Sequence, residues 1–302
     1  MIEVSHLTKK YGSRLAVDDI SFTVEDGVIY GLLGPNGAGK STIMNILTGY
    51  LAATEGQVTV AGHPLPEEAD AAKACVGYLP EQPPLYPEMT VAEYLDFAAE
   101  LKGVKKADRP AQVQSAARRT GLEDVLPRLI RSLSKGYRQR VGIAQALLGS
   151  PRVIILDEPT VGLDPKQIIE IRELIRSLGQ EHTVLLSSHI LSEVNAVCDK
   201  VLIMSHGKLV ACDTPENLTA HAAGHAALRI TVLGTQEAVQ AALSPLLEQG
   251  AQAVEFVPCE GSARTGGHCA GGRGPGRAAH GRRNNKPGGC VPGADRGRAG
   301  GR

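Results

Sequence analysis

The chain has 302 residues, 42% of them apolar, enough for one large domain or two modest ones around a sizeable buried core. Its formal charge of zero hides an asymmetry: residues 261–302 carry nine Lys and Arg against one Asp, which leaves 23 basic and 31 acidic side chains in the first 260. That acidic balance argues against nucleic acid as a main partner, because phosphate contacts need clustered Lys and Arg.

The opening MIEVSHLTKKYGS lacks the apolar centre of a signal peptide, and no run reaches the roughly 18 apolar residues that span a bilayer. A cytosolic location is expected. Cysteines at 75, 198, 212, 259, 269 and 290 include no CxxC pair, so reduced thiols are expected rather than a disulfide framework.

In chain order, residues 28–33 read as a buried strand and lead into GPNGAGKS, Gly34 to Ser41, with a helical pattern following in STIMNILTG. This matches G-x-x-x-x-G-K-[ST] in the strand–loop–helix setting that gives the motif its meaning. The backbone N–H groups of Gly34, Asn36, Gly37, Ala38, Gly39 and Thr42 can turn inward around a phosphate, and the helix N-terminus adds its positive end. Lys40 would reach the β- and γ-phosphates of a nucleotide, and the Ser41 hydroxyl would bind Mg²⁺.

A β-branched run at 58–60 reads as the next strand. From 83 to 132 a Pro-rich loop, PPLYPEMT, precedes Ala-rich and charged helical pattern, as in a helical subdomain inserted into an α/β body. Ser134 is a good N-cap for a helix ending near Gly149. VIILDEPT then supplies a strand at 153–156 with Asp157 and Glu158 at its carboxyl end, the edge where open α/β sheets bind ligands. Asp157 suits a Mg²⁺ shell and Glu158 the general base that polarises the attacking water. A further helix has Asp164 as N-cap, Pro165 in its first turn, an apolar face from Ile168 to Leu178, and Gly179 at its end. Strands at 184–187 and 201–204 complete an alternation that implies a parallel sheet covered by helices.

Residues 229–257 show two strand-like pieces around a helical stretch at 236–248, a small α+β piece. The last 42 residues contain 14 glycines and 8 arginines and almost no aliphatic side chains, so a disordered tail is expected. Two readings of it stay open. An RGG-like arm would want Phe or Tyr between the arginines, and none is there; translation out of frame would leave the small domain incomplete. Cys259, His268, Cys269, His280 and Cys290 lack the short spacings of a zinc module.

Three more motifs, LSKGYRQR at 133–140, VGLDP at 161–165 and LLSSH ending at His189, appear in a fixed order with those above. The chain thereby resembles the ATP-binding subunits of ABC transporters, most closely the ABC-2 type branch that serves export permeases, over about residues 2–217. The resemblance implies a P-loop NTPase of ABC ATPase type over residues 1–220, with a helical subdomain at about 83–150, a small piece at 225–260 and the tail at 261–302. It also implies ATP and Mg²⁺ as cofactors. By it, Tyr11 stacks on adenine and His189 contacts the γ-phosphate. Ser134 and Gly136 bind the γ-phosphate of ATP held by the opposite subunit, with Lys135 and Tyr137 departing from the commonest LSGGQ form. Asp164 sits in a loop crossing the dimer interface. In GYLPEQ the residue linking Mg²⁺ to the helical subdomain aligns with Glu81, with Gln82 as the neighbouring candidate. Implied partners are a second ATPase subunit, the same or different, and a separate polytopic permease that would hold the chain at the inner face of the cell membrane. Two rivals compete with this reading. A soluble relative acting on ribosomes or DNA would want tandem ATPase domains or long coiled coils, and an impaired ATP-binding module would lack Glu158 or His189.

Overall fold

The computed structural model describes residues 1–223 continuously and then the backbones of three strands, at 229–233, 254–258 and 267–272. The chain forms two compact units, Met1–Leu218 and Thr219–Arg302. The first opens with β1 (Ile2–Tyr11), β2 (Arg14–Val24), β3 (Ile29–Leu33) and α1 (Lys40–Leu47). Next come β4 (Glu55–Val60), β5 (His63–Leu65), α2 (Ala69–Ala74) and β6 (Val76–Leu79). Three helices follow, α3 (Val91–Leu101), α4 (Arg109–Thr120) and α5 (Lys135–Leu147). The chain then runs through β7 (Val153–Leu156), α6 (Pro165–Gly179), β8 (Thr183–Ser188), α7 (Leu191–Val197), β9 (Lys200–Ser205), β10 (Lys208–Asp213) and α8 (Pro215–Ala223).

Six strands form one sheet in the order β10-β9-β3-β8-β7-β6, with β10 an antiparallel edge on five parallel strands. Successive residues of a strand point to opposite faces. Ile154 and Leu156 therefore enter one core, shared with α3 to α7, while Val153 and Ile155 enter a second, shared with α1 and the other sheet. Burial on both faces is why β7 reads as an uninterrupted apolar run. The helices of the insert have no core of their own: Val91, Val113 and Val141 pack in the same cluster as the sheet residues Leu79 and Leu156.

Residues 58–60 do not belong to the parallel sheet as expected. They end β4, which pairs antiparallel with β1, Val4 opposite Val58, in a four-stranded sheet of order β2-β1-β4-β5. The reason is visible in the residues: Val58 and Val60 are buried and Thr59 is half-buried, the one-sided alternation of an antiparallel strand.

Gly77 in β6 lets the last turn of α5 pack closely on the sheet. A Cβ at Gly77 would stand 2.1 Å from the Ala146 carbonyl oxygen near the end of α5. Gly77→Ala is expected to destabilise the fold by about 2 kcal/mol through overpacking. Thermal melting should then fall by several degrees, and an unchanged midpoint would show that α5 can retreat without cost.

In the second unit, β11 (Arg229–Leu233), β12 (Val254–Pro258) and β13 (Gly267–Gly272) form an antiparallel sheet of order β11-β13-β12. β13 lies past Glu260, inside the stretch expected to be structureless. A central strand bonds both neighbours through its backbone, so GHCAGG can pair without aliphatic side chains. The expected helix at 236–248 and the rest of the tail lie outside the described residues.

Candidate nucleotide site

Strand register brings the candidate residues together. In the sheet Leu33 lies opposite Ser188 and Leu156 opposite Leu186, so the segments beginning at Gly34, Asp157 and His189 leave the same carboxyl edge side by side. The Gly34 N–H donates to the Ser188 carbonyl at 3.3 Å, and the Asp157 N–H to the Leu79 carbonyl at 2.8 Å.

The loop after β3 bends back on itself, with the Ala38 N–H donating to the Pro35 carbonyl at 3.2 Å. Gly39, at φ 103, is the N-cap of α1, and a Cβ there would meet the Ala16 carbonyl oxygen at 2.7 Å. Glycine is thus required twice over at that position, by backbone conformation and by space. The first N–H groups of α1 have no partner within the helix and face outward along its axis. Lys40 is buried, and its ammonium donates to the carbonyls of Gly34 at 2.7 Å and Pro35 at 3.3 Å.

Glu158 stands at the centre. It is 8% exposed, at φ 48, a left-handed conformation that costs a non-glycine residue about 1–3 kcal/mol. Its Oε1 lies 3.6 Å from Lys40 Nζ, and its Oε2 lies 3.0 Å from His189 Nδ1. The Glu158 N–H donates to Ser187 Oγ at 2.9 Å, and the Ser187 hydroxyl donates in turn to Asp157 Oδ1 at 2.5 Å. Asp157 is 5% exposed, so two adjacent carboxylates are held apart in character, one hydrogen-bonded under the sheet edge and one facing the cavity. Burial, and secondarily the Asp157 charge, push the phenol of nearby Tyr78 up to about 12.

A cavity of about 550 Å³ opens over these groups. Tyr11, Asn36, Gly37, Gly39, Lys40, Ser41, Thr42, Glu81, Glu158 and His189 line it. Gly34, Ala38 and Asp157 lie beneath it without lining it, and of the two neighbours in GYLPEQ it is Glu81, not Gln82, that reaches it. One face of the half-exposed Tyr11 ring is covered by Lys9, whose ammonium lies 5.4 Å from the ring centroid and donates to the Ala52 carbonyl. Ser134, Gly136 and Asp164 do not line this cavity. Ser134 caps α5, accepting from the Tyr137 N–H, and Asp164 caps α6, accepting from the Gln167 N–H at 2.9 Å.

Arg14 and Ala16 also line the cavity and were not singled out from sequence, and so does Val161, which opens the VGLDP motif but was given no role there. The signal for Arg14 is its pairing with Tyr11 across the β1–β2 turn. Among the described residues no group of three or more His, Cys, Asp and Glu could hold a metal ion by themselves, and no helix is long and apolar enough to cross a membrane.

The ABC transporter family model matches residues 17–161. The linearmycin resistance ATP-binding protein LnrL of Bacillus subtilis (strain 168) is 33% identical over 247 residues, covering 82% of this chain and 79% of its own. The chain belongs to the ABC transporter ATP-binding subunits. The bacitracin transport ATP-binding protein BcrA of Bacillus licheniformis is 40% identical over 212 residues, 70% of this chain and 68% of the relative. Among solved structures, the dimeric structure of MJ0796, a bacterial ABC transporter cassette, superposes with a TM-score of 0.65 at 25% identity, over 71% of this chain and 99% of that one. The α/β fold with its helical insert is thus the ABC ATPase fold, and the chain is an ATPase subunit of a transporter that works with a membrane permease.

Proposed function

We propose that this ABC subunit hydrolyses ATP at the cavity over Glu158, as one half of a head-to-tail dimer that encloses two ATP molecules and drives an export permease of the ABC-2 type. The observation that carries the reading is Glu158 itself, a nearly buried carboxylate between Lys40 Nζ at 3.6 Å and His189 Nδ1 at 3.0 Å, facing the cavity. That is where a γ-phosphate and its attacking water would meet a base. Lys40 exchanges the Gly34 and Pro35 carbonyls for phosphate oxygens, Tyr11 stacks its uncovered face on adenine, and His189 contacts the γ-phosphate. Ser134 and Gly136, at a helix start outside this cavity, complete the site of the other subunit, with Asp164 at the interface.

Mg²⁺ fits the residues present. Ser41 and Asp157, with Glu81 at the rim, offer hydroxyl and carboxylate oxygens, the donors this hard cation takes. The bound ion would offset phosphate charge. The permease is the second partner and would hold the subunit at the inner face of the membrane. Support comes from a groove of about 670 Å³ lined by Tyr50, Lys73, Tyr78, Pro84, Lys102 and Gln145, beside the insert. Tyr50 is 83% exposed there, and burial lowers the Lys102 ammonium to about 8 while it donates to the Ala146 and Leu148 carbonyls. A cytoplasmic helix of the permease seated in this groove would feel α5, whose other end carries Ser134.

Tyr11→Ala is expected to weaken binding of a fluorescent ATP analogue roughly tenfold, since base stacking is worth about 1–3 kcal/mol. Titration of wild type and variant reads this directly. Equal affinities would remove Tyr11 from the adenine site.

A further inference from the structure

Behind the cavity lies a buried carboxylate that the hydrolysis reading does not use. Glu193, in the first turn of α7, is 7% exposed. Its Oε2 accepts from the Thr160 hydroxyl at 2.6 Å and from the Ser188 hydroxyl at 3.1 Å. The Ser188 Oγ accepts in turn from the Ile190 N–H at 3.1 Å, closing the turn that carries His189. Among the described residues no ion pair reaches Glu193.

Burying a carboxylate away from any cation is costly, and a well-packed apolar side chain is often at least as stabilising. The carboxylate is met by two hydroxyls and lies in the first turn of α7, where a negative group is favoured. Stability alone gives no reason to keep an acid there. Geometry does: Thr160 follows Glu158 by two residues, and Ser188 immediately precedes His189. A single oxygen thus ties together the stems of the two loops whose tips meet at the 3.0 Å contact between Glu158 and His189.

We propose that Glu193 is a positioning residue for hydrolysis, fixing the Glu158 carboxylate and the His189 ring relative to each other through Thr160 and Ser188. This rests on the ATPase reading of the cavity. Misplacing reacting groups by an ångström can cost on the order of a hundredfold in rate without touching ground-state binding. The effect of Glu193 therefore falls on kcat and not on KM.

The test uses the full-length chain and its variants Glu193→Gln, Thr160→Val and Thr160→Ser, with binding of a fluorescent ATP analogue, kcat and KM as readouts. Glu193→Gln and Thr160→Val are expected to bind the analogue within about twofold of wild type while kcat falls roughly tenfold or more. Thr160→Ser, which keeps the hydroxyl, is expected to recover most of the rate. In a His189→Ala background Glu193→Gln should lose most of its effect, because the Glu158–His189 pair that it aligns no longer exists. An unchanged kcat, a loss that Thr160→Ser does not recover, or full additivity with His189→Ala would overturn the proposal and leave Glu193 a structural residue. Failure of the wild type to bind the analogue would overturn the ATPase reading and this assignment with it, and that outcome is seen before any substitution is made.

Discussion

Replacing Glu158 with glutamine is expected to slow ATP hydrolysis by roughly two to four orders of magnitude, the range for removal of a general base. ATP should still bind, and with ATP and Mg²⁺ the full-length variant should shift from monomer to dimer in size-exclusion chromatography with light scattering. The amide keeps the shape of the carboxylate and can still bond His189, so the φ 48 conformation and the loop around it need not change. What is lost is the ability to take a proton and the negative charge facing the phosphate. Both losses favour a bound, unreacted state. If the same shift disappears when Ser134 is also replaced, two copies of the chain complete each other's sites. A variant that hydrolyses ATP at the wild-type rate would show that Glu158 is not the base. If hydrolysis is lost but no dimer forms at saturating ATP, a different second subunit or the permease is needed for closure.

How much of this arrangement could be read from the residues depended on how local the physics is. The loop from Gly34 to Ser41 was legible because φ sign and charge act within eight residues, while the close approach of the Ala16 carbonyl to Gly39 comes from outside the loop and was not. α6 was legible from end to end, since Asp164, Pro165 and Gly179 mark its limits as the structure does. β7 announced itself through burial on both faces. The β1–β2 hairpin did not: bulges break the register between Val4 and Leu7 and again before Lys9 and Lys10, which erases the period of two that would have marked it. Residues 58–60 carried their correct signal in the half-buried Thr59, but a three-residue alternation is too short to outweigh a β-branched run. Glu193 was invisible for a different reason. Its partner Thr160 lies 33 residues away in sequence, and nothing in LSEV distinguishes a buried acid from a solvated one.

The loop reading stands or falls on Lys40. Lys40→Ala is expected to weaken ATP binding by on the order of a hundredfold, because two charge-assisted hydrogen bonds of about 1.5 kcal/mol each amount to roughly that ratio. The Gly34 and Pro35 carbonyls hold the ammonium in the loop where the phosphates would lie, so little side-chain freedom is lost on binding. Lys40→Arg should not restore affinity. The side chain is 6% exposed, and a planar guanidinium is too broad for a site fitted to a compact ammonium between two carbonyls. Isothermal titration gives the affinities, and the melting temperature of each variant without nucleotide separates loss of a ligand contact from collapse of the loop. Binding within a few-fold of wild type, with the fold intact, would mean that the phosphates are held elsewhere. The carboxylate of Glu158, 3.6 Å from the ammonium, would then be a structural partner of Lys40 and not the base beside it.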